Sequence, residues 1–254
     1  MGLHRERRKL RELGAHEYAR RIVKNRLIAM GNRISPARHF CPCCGWRGAR
    51  FFDYFGKGYG IANFVCPRCE SQPRHRGLIA LLRREIPLLR ANSRVLHFAP
   101  EPSLAEVFAA RSDLIHITTD LRMRRVSIRA DAMRMPFRSG VFALVVASHV
   151  LEHIRDDSAA LAEISRVMEH GGKALILAPM LRSWRETPTL EFGAPNPAND
   201  DHWRIYGSDF ARRIKAAGLR CESLDFDSIV PASDFACYGL RSEPVFMARK
   251  PVQA

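Results

Sequence analysis

Residues 131–154, DAMRMPFRSGVFALVVASHVLEHI, constrain the fold of this chain more than any other stretch. Asp131 opens it, a connector carrying Pro136 and Phe137 follows, and seven apolar residues then run unbroken over 141–147 before Ser148, His149, Glu152 and His153. An apolar run of that length bounded by turn residues reads as a strand buried on both faces, the kind found in parallel sheets covered by helices. Ligands of open α/β sheets sit just past the carboxyl ends of such strands. The stretch therefore predicts a fold class and also the end of the sheet where titratable side chains collect.

The flanking sequence supports that class. Residues 94–99 (RVLHFA) and 114–121 (LIHITTDL) read as strands, 103–110 and 157–168 as helices. His170-Gly171-Gly172 reads as a helix stop, because glycine takes the left-handed cap cheaply. A strand over 173–178 follows, then a helix over 208–217 capped by Ser208 or Asp209, then closing strands over 219–226 and 244–249. Strands alternating with helices imply a mostly parallel, doubly wound α/β sheet. Asp120 ends the second strand, where a carboxylate suits the two hydroxyls of a ribose, and Asp131 ends a short third one, where it suits a purine amine. The plain reading of either is a helix cap. Residues 182–207 are too long for a routine connection and read as a lid or substrate loop, in which Asp201, His202, Trp203, Arg204 and Tyr206 gather.

The 254 residues are enough for one large core and a smaller unit. No segment approaches the roughly 18 apolar residues that span a bilayer. Residues 4–11 are charged, unlike a secretion signal, so the expected location is the cytoplasm. Lys and Arg number 41 against 26 Asp and Glu. Residues 1–38 hold eleven of those bases against three Glu, more than half of the net surplus of fifteen. This basic helical arm suits an anionic surface, whether nucleic acid, membrane or an acidic partner; a solvated helix face is the plain alternative. Val23, Leu27, Met30 and Ile34 recur at helical spacing and predict a side that packs.

Residues 39–76 hold five of the seven cysteines. Cys41 with Cys44 and Cys66 with Cys69 form two C-x-x-C pairs with 21 residues between them, close to zinc-ribbon spacing. Two intervening residues let both thiolates of a pair face one ion, Gly45 permits the tight return, and four thiolates close a tetrahedral structural Zn²⁺ shell. Cys43 is a spare expected to point outward, and Cys221 and Cys237 are expected as buried small apolar residues. The predicted organisation is an arm over 1–38, a zinc-ribbon-like unit over 39–76 and an α/β domain over 77–254.

In their order, Met135-Pro136-Phe137, Phe142-Ala143-Leu144-Val145, Leu151-Glu152-His153 and Gly171-Gly172 resemble the class I S-adenosylmethionine-dependent methyltransferases, in the branch written LPF, FD-x-V, LEH and GG. The resemblance covers about residues 93–250. It implies a Rossmann-like seven-stranded sheet with helices on both faces and S-adenosyl-L-methionine bound over its first strands. The donor set it implies is Phe98, Ala99, Pro100 and Glu101 in the first loop, Asp120 and Leu121 at the ribose, Asp131 and Ala132 at the adenine, and Ser148 and His149 beside the methionine. Two departures stand out. The family's first loop is glycine-rich, whereas this one, HFAPEPS, has no glycine and contains Pro100 and Pro102, which lack an N–H. Glu101 is then the residue offered to the donor's amino group. The second departure is Ala143, where the family has Asp. A subset of the family carries a similar HFAPE loop behind a paired C-x-x-C unit and an Arg-His-Arg, here Arg74-His75-Arg76.

Methyl transfer from a sulfonium asks mainly for alignment, and a base only where the acceptor must first lose a proton. The candidates for such a base are His149, Glu152, His153, His202 and Tyr206, each also readable as a binding or structural group. The acceptor favoured is a small molecule or saccharide. An RNA held by the arm and zinc unit is a second reading, and a non-catalytic binding protein with a degenerate methyltransferase fold is a third. His149-Val150-Leu151-Glu152-His153 also matches the H-x-x-E-H zinc-protease signature, but that motif needs one helix face and here follows a strand.

Overall fold

The computed structural model of the chain describes residues 14–56 and 59–252. They form two compact units, residues 14–84 with Phe226–Glu243, and Glu85–Asp225 with 244–252.

The first unit opens with α1 (Ala15–Ile34), which ends where Ser35 turns extended ahead of Pro36. The part of the predicted arm over residues 1–13 lies outside the described residues. Two hairpins follow: β1 (His39–Phe40) pairs with β2 (Arg47–Gly48), and β3 (Phe52–Gly56) with β4 (Tyr59–Val65). Helix α2 (Pro73–Glu85) starts on a proline, whose missing N–H costs nothing there. Arg76 on α2 is fully buried and donates to the carbonyls of Phe64, Ser71, Tyr238 and Gly239, with its guanidinium 4.0 Å from the Phe51 ring centre. One side chain thereby ties the hairpins to the returning segment 226–243.

The expected packing face of α1 is corrected by the structure. Val23, Leu27, Met30 and Ile34 are exposed, Ile34 by 87%. The docked face is polar. Asn32 donates to the Arg50 carbonyl and accepts from its N–H, Asn25 accepts from the Asp53 N–H, and Lys24 pairs with Asp53 at 2.8 Å. The loop and strand beneath the helix present unpaired backbone groups, which amide side chains satisfy and apolar ones cannot.

The second unit is built on one seven-stranded sheet in the order β12-β13-β9-β8-β5-β6-β7. Its strands are β5 (Arg94–Phe98), β6 (Ile115–Asp120), β7 (Ile128–Arg129), β8 (Phe142–Ser148), β9 (Met168–Leu177), β12 (Arg220–Asp225) and β13 (Pro244–Arg249). The run from β9 through β7 is parallel, and β13 inserts antiparallel between β9 and β12. This is the Rossmann-like α/β architecture the sequence predicts. Strand alternation sorts the core. Leu96, Phe98, Val145, Ala147, Ala174, Ile176, Phe246 and Ala248 face a cluster with helices α4 (Asp157–Val167) and α5 (Phe210–Ala216). On the opposite face His97 meets Phe108 of α3 (Ala105–Ala109), which follows a 3₁₀ turn over Pro102–Leu104.

Four local expectations change. Gly171-Gly172 does not cap a helix: α4 ends at Val167, and the glycines form a bulge inside β9, where a Cβ on Gly172 would lie 2.9–3.0 Å from the Glu169 and Phe142 carbonyls. Asp131 lies two residues past β7, in an isolated bridge with Arg134. The predicted lid holds an antiparallel hairpin, β10 (Leu190–Asn196) with β11 (His202–Ile205), turned through Asp200 and Asp201 at positive φ. Asp209 does not cap α5 with its side chain, because Thr189 and Arg213 claim that carboxylate. Among the described residues no helix is long and apolar enough to cross a membrane.

Candidate functional site

Strands β5, β6 and β8 end side by side, and a cleft of about 400 Å³ opens past their carboxyl ends. Ala99 and His149, the residues just beyond β5 and β8, both have positive φ, 43° and 53°. Strained backbone of this kind persists where the surroundings fix it, as ligand sites do. Here Ala99 N–H donates to the Thr119 carbonyl and His149 N–H to Leu177.

Of the ten residues the sequence offers for the donor, Phe98, Ala99, Asp120, Leu121, Asp131, Ala132 and His149 line the cleft. Asp120 Oδ1 accepts from the N–H groups of Arg122 and Met123, and Asp131 Oδ1 from Met133. Each carboxylate thus caps its own loop and also faces the cleft. Pro100, Glu101 and Ser148 are not among the lining residues. Glu101 lies against His97 Nε2 at 2.9 Å, and that pair pins the glycine-free loop from below. His97 in turn meets His116, which burial, and secondarily the charge of His97, pushes down to about 4. Ser148 is 3% exposed. Sequence reasoning missed Thr119, whose buried Oγ1 has no hydrogen-bond partner at the floor of the cleft, and Pro195, which only the hairpin brings there. The one signal for Thr119 was its place next to Asp120.

The candidate bases separate. His149 and His153 line the cleft, and His202 stands edge-on to His153 with ring centres 4.7 Å apart. Burial holds His202 below the ordinary histidine range. Tyr206 is fully buried outside the cleft, donating to Asp157 at 3.0 Å, and burial drives its hydroxyl far up. Its hydroxyl is therefore turned to Asp157 and not to the cleft. Arg204 on β11 donates to the carbonyls of Leu151, Ile154 and Arg155 and pairs with Glu191, so the hairpin and the Leu151–His153 turn are held together.

In the first unit the four paired cysteines converge, their sulfurs all within 4.8 Å of one another. Cys41 and Cys69 are 3.6 Å apart, Cys44 and Cys66 3.7 Å. Zinc–thiolate bonds of about 2.3 Å place tetrahedral sulfurs about 3.8 Å apart, so these separations fit a Cys₄ zinc shell and are far too long for disulfides. The backbone turns as a knuckle requires: Gly45 N–H reaches the Cys41 carbonyl and Glu70 N–H that of Cys66. Hydrogen bonds from Cys43 and Cys66 draw the Cys41 thiol down to about 6. Cys43 does not point outward; it is 3% exposed beside this cluster. Cys221 and Cys237 are half-buried, and burial pushes Cys221 up to about 11.

Residues 88–176 match the family described as methyltransferase domain. Similar curated proteins are the demethylmenaquinone methyltransferases of Mycolicibacterium gilvum and Mycolicibacterium vanbaalenii, 29% and 27% identical over 137 residues. Those matches take in 50% of this chain and 58% of either relative, so the chain spans less than two thirds of their length. Among solved structures, Burkholderia thailandensis 1,6-didemethyltoxoflavin-N1-methyltransferase, with 1,6-didemethyltoxoflavin and S-adenosylhomocysteine bound, superposes with a TM-score of 0.50 at 17% identity, over 70% of this chain and 78% of that one. The matched segment runs from β5 into β9 and so contains the strands whose carboxyl ends open into the cleft.

Proposed function

We propose that the second unit binds S-adenosyl-L-methionine in the cleft past β5, β6 and β8 and transfers its methyl group to an acceptor, while Cys41, Cys44, Cys66 and Cys69 hold a structural zinc ion. The observation that carries this reading is the meeting of Asp120, Asp131 and His149 in one ligand-sized cleft at the parallel strands' carboxyl ends. The unpartnered Thr119 Oγ1 on its floor fits a polar ligand above it. When bound, the donor supplies a methyl group already activated on a positive sulfur. Asp120 is placed to accept from the ribose and Asp131 with Ala132 to face the adenine. Trp203 and Pro195 of the hairpin line one side of the cleft, where they would flank a bound ligand.

The matched proteins are named for demethylmenaquinone and 1,6-didemethyltoxoflavin, and those names favour a small-molecule acceptor. A second reading, an RNA acceptor, is favoured by Arg122, Arg124, Arg125 and Arg129, all exposed on one segment whose Arg122 lines the cleft. Binding of RNA that weakens steeply with salt would select it. Isothermal titration with S-adenosylmethionine and S-adenosylhomocysteine tests the donor site. Both bind the folded wild type, and Asp120→Ala weakens them at least tenfold; affinity unchanged in that variant refutes the assignment.

A further inference from the structure

Beside the cleft, which His153 lines, lies a cluster that methyl transfer as described does not use. Glu152, His153 and His202 each bring one ligand atom to within 4.8 Å of the others. Glu152 is fully buried, yet neither carboxylate oxygen has a hydrogen-bond partner. His149 Nδ1 lies 3.2 Å from Oε1, at ion-pair range but without the geometry of a hydrogen bond. A buried carboxylate with no hydrogen bond is costly to hold, and a cation bound beside it offsets that cost.

We propose that Glu152, His153 and His202 form a second metal site, for a divalent first-row ion bound through nitrogen and oxygen, distinct from the cysteine cluster. Two imidazoles and one carboxylate are a facial ligand set that leaves coordination positions open. Bonds of roughly 2.1 Å reach all three side chains after small rotations. The set is preorganised. His202 sits on β11 two residues before Arg204, whose guanidinium grips the carbonyls of Leu151, Ile154 and Arg155 on either side of Glu152-His153. His153 lines the cleft, so an open position on the ion faces the space in which an acceptor must lie. A hydroxyl seated there loses its proton to solvent more readily, because the ion stabilises the oxyanion. An acceptor oxygen would then need no protein base. This role rests on the methyl-transfer reading, whereas metal binding itself does not.

The test uses the full chain, stripped of weakly held metal and titrated with Mn²⁺, which competes poorly for thiolates. Free Mn²⁺ is followed by electron paramagnetic resonance, and S-adenosylhomocysteine binding is measured on the same samples. About one Mn²⁺ per chain should bind, weakened at least tenfold in His202→Ala, in His153→Ala and in the isosteric Glu152→Gln. His153 is exposed, so its variant folds even if the buried Glu152 variant does not. Absence of Mn²⁺ binding in a protein that binds S-adenosylhomocysteine overturns the metal site and leaves the donor site standing. Equal Mn²⁺ affinity in wild type and His153→Ala also overturns it. Mn²⁺ binding without S-adenosylhomocysteine binding supports the metal site and refutes the donor site.

Discussion

Ala99, in the glycine-free loop after β5, holds a backbone conformation that its Cβ resists. The left-handed region costs a non-glycine residue about 1 kcal/mol. Ala99→Gly should therefore raise the stability of the second unit by up to about 1 kcal/mol, less the added freedom of the unfolded chain, measured by urea denaturation. A drop in stability would show that the Ala99 methyl group packs usefully. The missing glycines look in sequence like a weakened donor wall. The structure shows another way to fix the loop, through His97 against Glu101. That pairing was illegible because the sequence offers Glu101 equally to ligand and neighbour. That Asp120 and Asp131 line one cleft was legible because the chain leaving neighbouring parallel strands converges there, although Asp131 lies two residues past its strand. His116 supplies a pH signature. Its folded-state value is depressed to about 4 from 6.5, so the unfolded chain takes up the proton first as pH falls. The stability this neutral, half-buried ring contributes is present above pH 6.5 and is lost progressively from pH 6.5 to 4. Urea midpoints across that window should fall in the wild type and fall less in His116→Phe.

At the scale of elements, the regular strands were readable and the irregular ones were not. β8 announces itself by burial on both faces, whereas the β10–β11 hairpin hides behind Pro195 and an exposed, weakly alternating strand. The bulge in β9 was misread because glycine serves helix caps and bulges equally; only the approach of the Phe142 carbonyl distinguishes them. Arg204 decides the hairpin's position, since one guanidinium satisfies three carbonyls of the Leu151–Arg155 segment and faces Asp157. Arg204→Met keeps much of the volume but orphans those carbonyls, and should cost about 3 kcal/mol or more. Cleavage by a protease within residues 190–205 should accelerate, with S-adenosylhomocysteine binding weakened in parallel because Trp203 and Pro195 lose their anchor. Unchanged cleavage would mean that the strand pairing alone holds the hairpin.

At the scale of the molecule, each unit has its own means of cohesion. The second buries a large apolar sheet core. The first holds short hairpins, a polar-docked helix and a buried arginine around four thiols. A structural metal contributes folding energy directly to a small unit of this kind. A Cys₄ zinc shell carries two net negative charges, and the nearby sulfurs favour the charged form of Arg76 against the burial that lowers it. Metal and guanidinium would thus stabilise one another at the centre of that unit. Cys43, equally buried beside the cluster, is the internal control because it lies outside the four-sulfur set. Cys41→Ser should remove about one zinc per chain by elemental analysis and lower the first unit's melting temperature, while S-adenosylhomocysteine still binds the second. Cys43→Ser should leave zinc content unchanged. Equal zinc loss in both variants would mean that Cys43 is a ligand, and loss in neither would refute the zinc assignment.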